Sequence, residues 1–196
     1  MSRDAGRDFG QESTHDYSEN FPPTSGRVMG VLAVLLFLGV MVLAIVDGEQ
    51  GLGAPVAWGA AFLAIVSYAA LLRPAVRVEQ GTLVLRNMLD TNVVPLAAVE
   101  EVAVRQVLAV RAEEKRYVSP AIGHSFMRTI RPRVQRDGQL EISYPDYVRD
   151  RILSLSDGAR RRQGNADLPP VRHEWAWPEI AGLVVTAVGC VVSIVV

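Results

Sequence analysis

Between residues 115 and 136 the chain carries six basic side chains, Lys115, Arg116, Arg128, Arg131, Arg133 and Arg136, and no acidic one. Close to a bilayer such a surface attracts anionic headgroups by about 1 kcal/mol per charge, an attraction that fades within a Debye length of about 8 Å. These six are the candidate lipid-facing residues. A second feature is the acidic pair Glu100 and Glu101. Acid–base catalysis needs carboxyls that converge in a cleft with a partner group, and the neighbouring sequence offers neither a nucleophile nor metal ligands, so the pair reads as a solvated face. His15, His124 and His173 are scattered, with no H-x-x-x-H or cysteine spacing that could hold zinc. The single Cys190 excludes an internal disulfide. The glycines of "GEQGLG" neither follow a strand nor open a phosphate-binding helix, and no G-x-S-x-G element or P-loop occurs. The expectation is a protein without catalytic residues, cofactor, metal or nucleic-acid partner.

The elements that would position these residues begin with three apolar runs. Residues 28–46 are nineteen in number, carry no charge, and include thirteen Val, Leu, Ile and Phe. As a helix they span about 28 Å, against a hydrocarbon core of about 30 Å. Residues 54–72 are a second charge-free run, and the seven residues between, "DGEQGLG", suffice only for a turn, so a transmembrane helical hairpin is expected. A third transmembrane helix is expected at 178–196, with Glu179 at its edge and Trp175 and Trp177 where an aromatic belt would lie. A cleaved signal peptide fits poorly: about 27 mixed residues precede the first run, and "AIVDGE" lacks an A-x-A site. No cluster of ionisable residues is expected at the membrane boundary.

Charge sets the orientation. Arg3, Arg7 and Arg27 precede the first run, the hairpin turn has no basic residue, and Arg73 and Arg77 follow the second. The positive-inside rule then places the N-terminus and the middle region in the cytoplasm and, with three crossings of the cell membrane, the C-terminus outside. The formal net charge of -1 hides an asymmetry, since residues 73–163 hold sixteen Lys and Arg against eleven acids. Residues 1–27 are polar, acidic and without period, and read as a disordered cytoplasmic tail. Residues 164–177 read as a linker.

The middle region, 73–163, alternates. Val76 and Val78, then Leu83 and Leu85, flank Gly81 as a hairpin. A turn is expected at 90–92, a short strand at 93–96, a longer strand from Val102 to Arg111, a turn over "AEEKR", and a strand at 139–143 after Asp137 and Gly138. A helix then starts with Pro145 in its first turn, and Val148, Ile152, Leu155 and Ala159 make one apolar stripe opposite Arg149, Asp150 and Arg151.

This order, from the helical hairpin through "VRVEQGTLVLRNMLDTNVVPLAAVEEVAV" and "SPAIGHSFMRTIRPR" to "DGQLEISYPDYVRDRILSL", resembles the bacterial PH-like domains of small membrane proteins from high-GC Gram-positive bacteria, over about residues 55–160. The resemblance implies an α+β domain, a bent antiparallel sheet or partly open barrel capped by one C-terminal helix, and no catalytic motif. Many eukaryotic PH domains hold phosphoinositides at the first hairpin turn. Here that turn, "VEQGT", is short and acidic, and the property is not carried over. The expected function is a non-enzymatic membrane protein whose cytoplasmic PH-like domain binds a protein partner or its own copies, assisted by anionic membrane lipid. The alternative is an accessory subunit of a membrane transport or secretion system. Within the helices, Gly182, Thr186, Gly189 and Ser193 recur as one small-residue stripe, and Ala57, Ala60, Ala61 and Ala64 give the second run a matching face. Helices in lipid associate by such close packing, so these are the helix-packing candidates.

Overall fold

The computed structural model describes residues 18–23, 26–46, 53–123, 143–164 and 168–195. The expected strand at 139–143 except for Ser143, the Asp137 turn, the hairpin turn at 47–53 except for Gly53, and most of the tail lie outside these residues. Helix α1 is Arg27–Val46 and α2 is Gly53–Ser67, prolonged by a π-helical turn at Tyr68–Leu72. That widened turn closes with the Arg73 amide donating to the Tyr68 carbonyl at 3.0 Å, and Pro74, which has no N–H, ends the ladder.

Strands then follow: β1 (Ser18–Phe21) before α1, and β2 (Ala75–Glu79), β3 (Thr82–Arg86), β4 (Asp90–Pro95), β5 (Val99–Val104), β6 (Leu108–Ala112) and β7 (Lys115–Ser119) after α2. Helix α3 is Tyr144–Gln163, β8 is Arg172–Trp175 and helix α4 is Trp177–Val195. The described strands form two antiparallel sheets, ordered β1-β2-β3-β4-β8 and β5-β6-β7. Alternation dictates the faces. Val76, Val78, Leu83, Leu85 and Val94 point into one core with Val99, Val102, Leu108 and Val110 of the second sheet. Val148 and Ile152 of α3 close that core, and Leu155 and Ala159 pack against it. The β2–β3 hairpin turns on Gln80 and Gly81, both at positive φ, as a two-residue turn between twisted strands requires.

Four details differ from the sequence reading. Residues 18–21 are not a free tail: β1 pairs with β2, and Phe21 is 2% exposed. Glu19 meets Arg151 of α3 at 3.0 Å, and the Tyr144 hydroxyl donates to the Pro22 carbonyl at 3.0 Å. Nor is 164–177 only a linker, since β8 pairs with β4. The turn expected at 90–92 falls earlier, with the Asn87 amide bonded to the Asp90 carbonyl at 2.8 Å, while Asp90 and Asn92 belong to β4. Their side chains bond each other instead of the backbone of a turn, Asn92 Nδ2 donating to Asp90 Oδ2 at 2.6 Å. Finally, the strand expected from Val102 to Arg111 is two paired strands, β5 and β6, with residues 105–107 turning between them, and the acidic pair sits within β5. The register shifts between Val99 and Glu101, and this bulge lets Glu100 and Glu101 both face solvent while Val99 and Val102 stay buried.

One consequence of the register positions everything else. Phe21 opposes Val76, Ala75 opposes Arg86, and Asp90 opposes Trp175. The chain passes from Phe21 into α1, from α2 into Ala75, and from Trp175 into α4. All three apolar helices therefore leave the same end of the five-stranded sheet, and the Gln80–Gly81 turn lies at the other end.

Candidate functional site

Where the sheet meets the helices, Arg73 is buried to 8% exposure. Its Nε donates to Glu179 Oε1 at 2.8 Å, and its Nη1 donates to the carbonyls of Asn87 and Asp90. A single guanidinium thus holds the end of α2, the β3–β4 turn and the first turn of α4. The fork geometry of arginine suits this, because its donors diverge in one plane. Beside it, Asn87 and Asn92 both donate to Asp90 Oδ2, at 3.2 and 2.6 Å. With its amide used in that way, Asn92 turns its Oδ1 toward His173 Nδ1 at 2.9 Å, an arrangement that puts the ring proton on Nδ1. The His173 ring meets Trp175 edge to face, with centroids 5.0 Å apart. The Ala176 amide adds a bond to the Leu89 carbonyl at 2.8 Å.

This junction corrects the expectation of no ionisable cluster at the boundary. Arg73 and Glu179 are separated by 106 positions, so no local spacing could reveal them. What the cluster does chemically is hold: Arg73 Nε and Nη1 and Asp90 Oδ2 are taken up by neighbours. Among the described residues no group of three or more His, Cys, Asp or Glu could bind a metal ion.

The helix-packing candidates divide. An added Cβ at Gly189 would come within 2.5 Å of the Trp58 ring, and at Gly182 within 3.2 Å of Ile65, so both glycines are pressed against α2. Thr186 between them is buried, and its hydroxyl donates to the Gly182 carbonyl at 2.7 Å. Ser193 is half-buried with its hydroxyl bonded to the Cys190 carbonyl at 3.0 Å. On α2, Ala60 and Ala64 are buried, whereas Ala57 and Ala61 line an apolar groove against Met41, Ala44 and Ile45 of α1. Sequence reasoning missed Gly30 of α1, where an added Cβ would stand 2.8 Å from Leu71.

Of the basic candidates, Lys115 and Arg116 are exposed at the start of β7, while Arg128, Arg131, Arg133 and Arg136 lie outside the described residues. Lys115 and Arg116, with Arg105, Arg111, Glu101 and Glu114, rim a groove of about 460 Å³ on the outer face of the second sheet. Its floor is Ala103 and Ala109, whose short side chains leave the space between long charged ones. Glu100 reaches Arg111 at 3.4 Å, a half-exposed pair of little energetic weight. On the other face of β7, burial pushes the Tyr117 phenol up, with Glu113 adding to the shift. The groove offers polar, mixed-charge contact rather than a catalytic constellation.

Compared with family models, with curated proteins and with solved structures, the chain matches none of them. Its function therefore has to be argued from its own geometry.

Proposed function

We propose that the chain is an integral protein of the cell membrane in which α1, α2 with its π-turn, and α4 cross the bilayer. On this reading the N-terminus and the sheet domain are cytoplasmic and the C-terminus is outside. The three helices are 20, 20 and 19 residues long, and in α4 only 6% of the apolar window is buried within the protein. That much bare apolar surface suits lipid, not water. The domain is PH-like: two antiparallel sheets share a core with one following amphipathic helix, in the order the resemblance implies. Its role is a non-enzymatic interaction module, engaging a protein partner or further copies of the chain, with anionic lipid assisting.

The observation that carries this reading is the mounting. Three apolar helices enter one end of one sheet, and Arg73 links α2, the β3–β4 turn and α4 there, which supports a domain held in a single orientation. A module that only needed tethering would require one helix and a flexible linker. Fixed orientation favours repeated, geometrically defined contact. Purification of the full chain in mild detergent, with its mass measured by light scattering, tests the role. A defined oligomer of the chain alone is the expected result. A monomer that co-purifies stoichiometrically with transporter subunits would instead assign the accessory role.

A further inference from the structure

The five-stranded sheet has a second face, turned away from the core. Register places Arg77, Val84, Val93 and Arg172 in one row across it, and Ala75, Arg86, Thr91 and Glu174 in the next row toward the helices. Arg86 is thus a diagonal neighbour of Arg77, within reach for long side chains. Among the described residues the side chains of Arg86 and Arg172 have no ion pair or hydrogen bond. Arg77 has only a 3.8 Å approach to Glu79, and its Nε is buried without a partner. Glu79 and Glu174 stand at the rim of this patch. Neighbouring like charges on a sheet destabilise it unless an anion intervenes.

Position identifies that anion. The Arg86 row includes Ala75, which follows Pro74 directly after the last residues of α2. Two residues of strand rise about 7 Å, so Arg77 and Arg172 lie one such step further out. The headgroup layer on each side of a bilayer is roughly 5–7 Å thick, by the difference between its full and hydrocarbon thickness. Trp175 and Trp177, exposed at 58% and 69%, mark the same level. We infer that Arg77, Arg86 and Arg172 form a binding site for the phosphate of an anionic phospholipid headgroup, with Val84 and Val93 beneath it. The inference rests on the reading that the three helices span a membrane. Guanidinium groups suit this ligand because they bind phosphate oxygens in pairs. The site uses none of the basic residues of 115–136, and its Arg86 row lies at the opposite end of the sheet from the Gln80–Gly81 turn.

The test uses the full chain in nanodiscs of phosphatidylcholine with a minority of phosphatidylglycerol, and counts retained lipid by native mass spectrometry. Phosphatidylglycerol should be retained in preference, and Arg77→Gln, Arg86→Gln and Arg172→Gln together should lose it by about fivefold per arginine removed. A charge-matched control on the exposed side of α3, Arg149→Gln, Arg161→Gln and Arg162→Gln, should keep the preference. Lysine at the three sheet positions should retain part of it, which separates a lost ligand from a lost fold. Equal retention of the two lipids, or equal loss in the α3 control, would overturn the site while leaving the spanning reading intact. Tight binding of inorganic phosphate by the lipid-free protein in detergent would overturn the lipid assignment. A chain that never enters the discs would sink the spanning reading and the site together.

Discussion

The sheet domain and the helical layer bury different kinds of side chain. In the domain the fully enclosed residues are Leu83, Leu85, Leu108, Ile122 and Ile152 with a ring of valines. In the helices the buried residues are Gly30, Ala44, Ala60, Ala64, Ala69 and Thr186, while Leu35, Leu36, Leu43, Val184, Val188 and Ile194 face outward. Water explains the first pattern, because large aliphatic groups gain most by leaving it. On the proposed spanning reading lipid explains the second: a leucine gains little by moving from acyl chains to a neighbouring helix, so small residues that let backbones approach decide the contacts. One chain thus carries two opposite rules for what lies inside. Arg73 and Glu179 sit where they meet, too far from bulk water to be left single.

The largest effect should come from that meeting point. Arg73→Ala strands the Glu179 carboxylate and two carbonyls, and loss of one partner of a buried pair typically costs about 3–5 kcal/mol. Thermal unfolding of the full chain in mild detergent should show it. Arg73→Met combined with Glu179→Leu should recover much of the loss, since the isolated charge is then gone.

Next comes a reciprocal pair that probes the two rules directly. Leu83→Ala empties the domain core and should cost about 3 kcal/mol. In α4, Gly189→Leu does the opposite, driving a side chain into the Trp58 ring, at a cost of about 1–3 kcal/mol for overpacking. Crosslinking between cysteines placed in α2 and α4 should vanish in that variant. Gly59→Leu, where nothing lies within 4 Å, should leave both stability and crosslinking unchanged. If Gly59→Leu were as damaging as Gly189→Leu, close approach at the seam would not be what matters.

How far the sequence alone discloses these features follows the same division. Long charge-free runs, the alternation at Val76, Val78, Leu83 and Leu85, and the stripe of α3 are periodic over many residues, and each lies where periodicity places it. Strands β1 and β8 are four residues each, "SENF" and "RHEW", too short and too polar for any period to register. They form through backbone pairing to strands already present. The Arg73–Glu179 pair and the Arg77, Arg86 and Arg172 patch exist only after folding brings distant segments together. Asp90 and Asn92 misled for a chemical reason: the side chains that favour turns also brace one strand end when they find each other. Among the six basic candidates, only Lys115 and Arg116 can be placed on the described surface.

The smallest expected effect tests how firmly β1 belongs to the domain. The Tyr144 phenol is pushed above its ordinary value of 10.0 by burial first, then by Tyr147 and Glu19. The neutral form is the one the fold favours, so this contribution is complete below pH 10 and is lost as pH rises through the raised value. Tyr144→Phe removes the bond to the Pro22 carbonyl at a cost of about 1 kcal/mol. It should also flatten the alkaline decline in stability. An unchanged alkaline profile would detach Tyr144 from that role.

The mounting of the sheet on three crossings is tested most directly by single cysteines in a Cys190-free chain, placed at Gln50, at Gln80 in the β2–β3 turn, and at Val195, and labelled on intact cells with an impermeant thiol reagent. Positions 50 and 195 should react and 80 should react only after the cells are opened. Labelling of position 80 from outside would contradict the cytoplasmic placement of the domain. Equal protection of 50 and 195 would contradict the three crossings themselves.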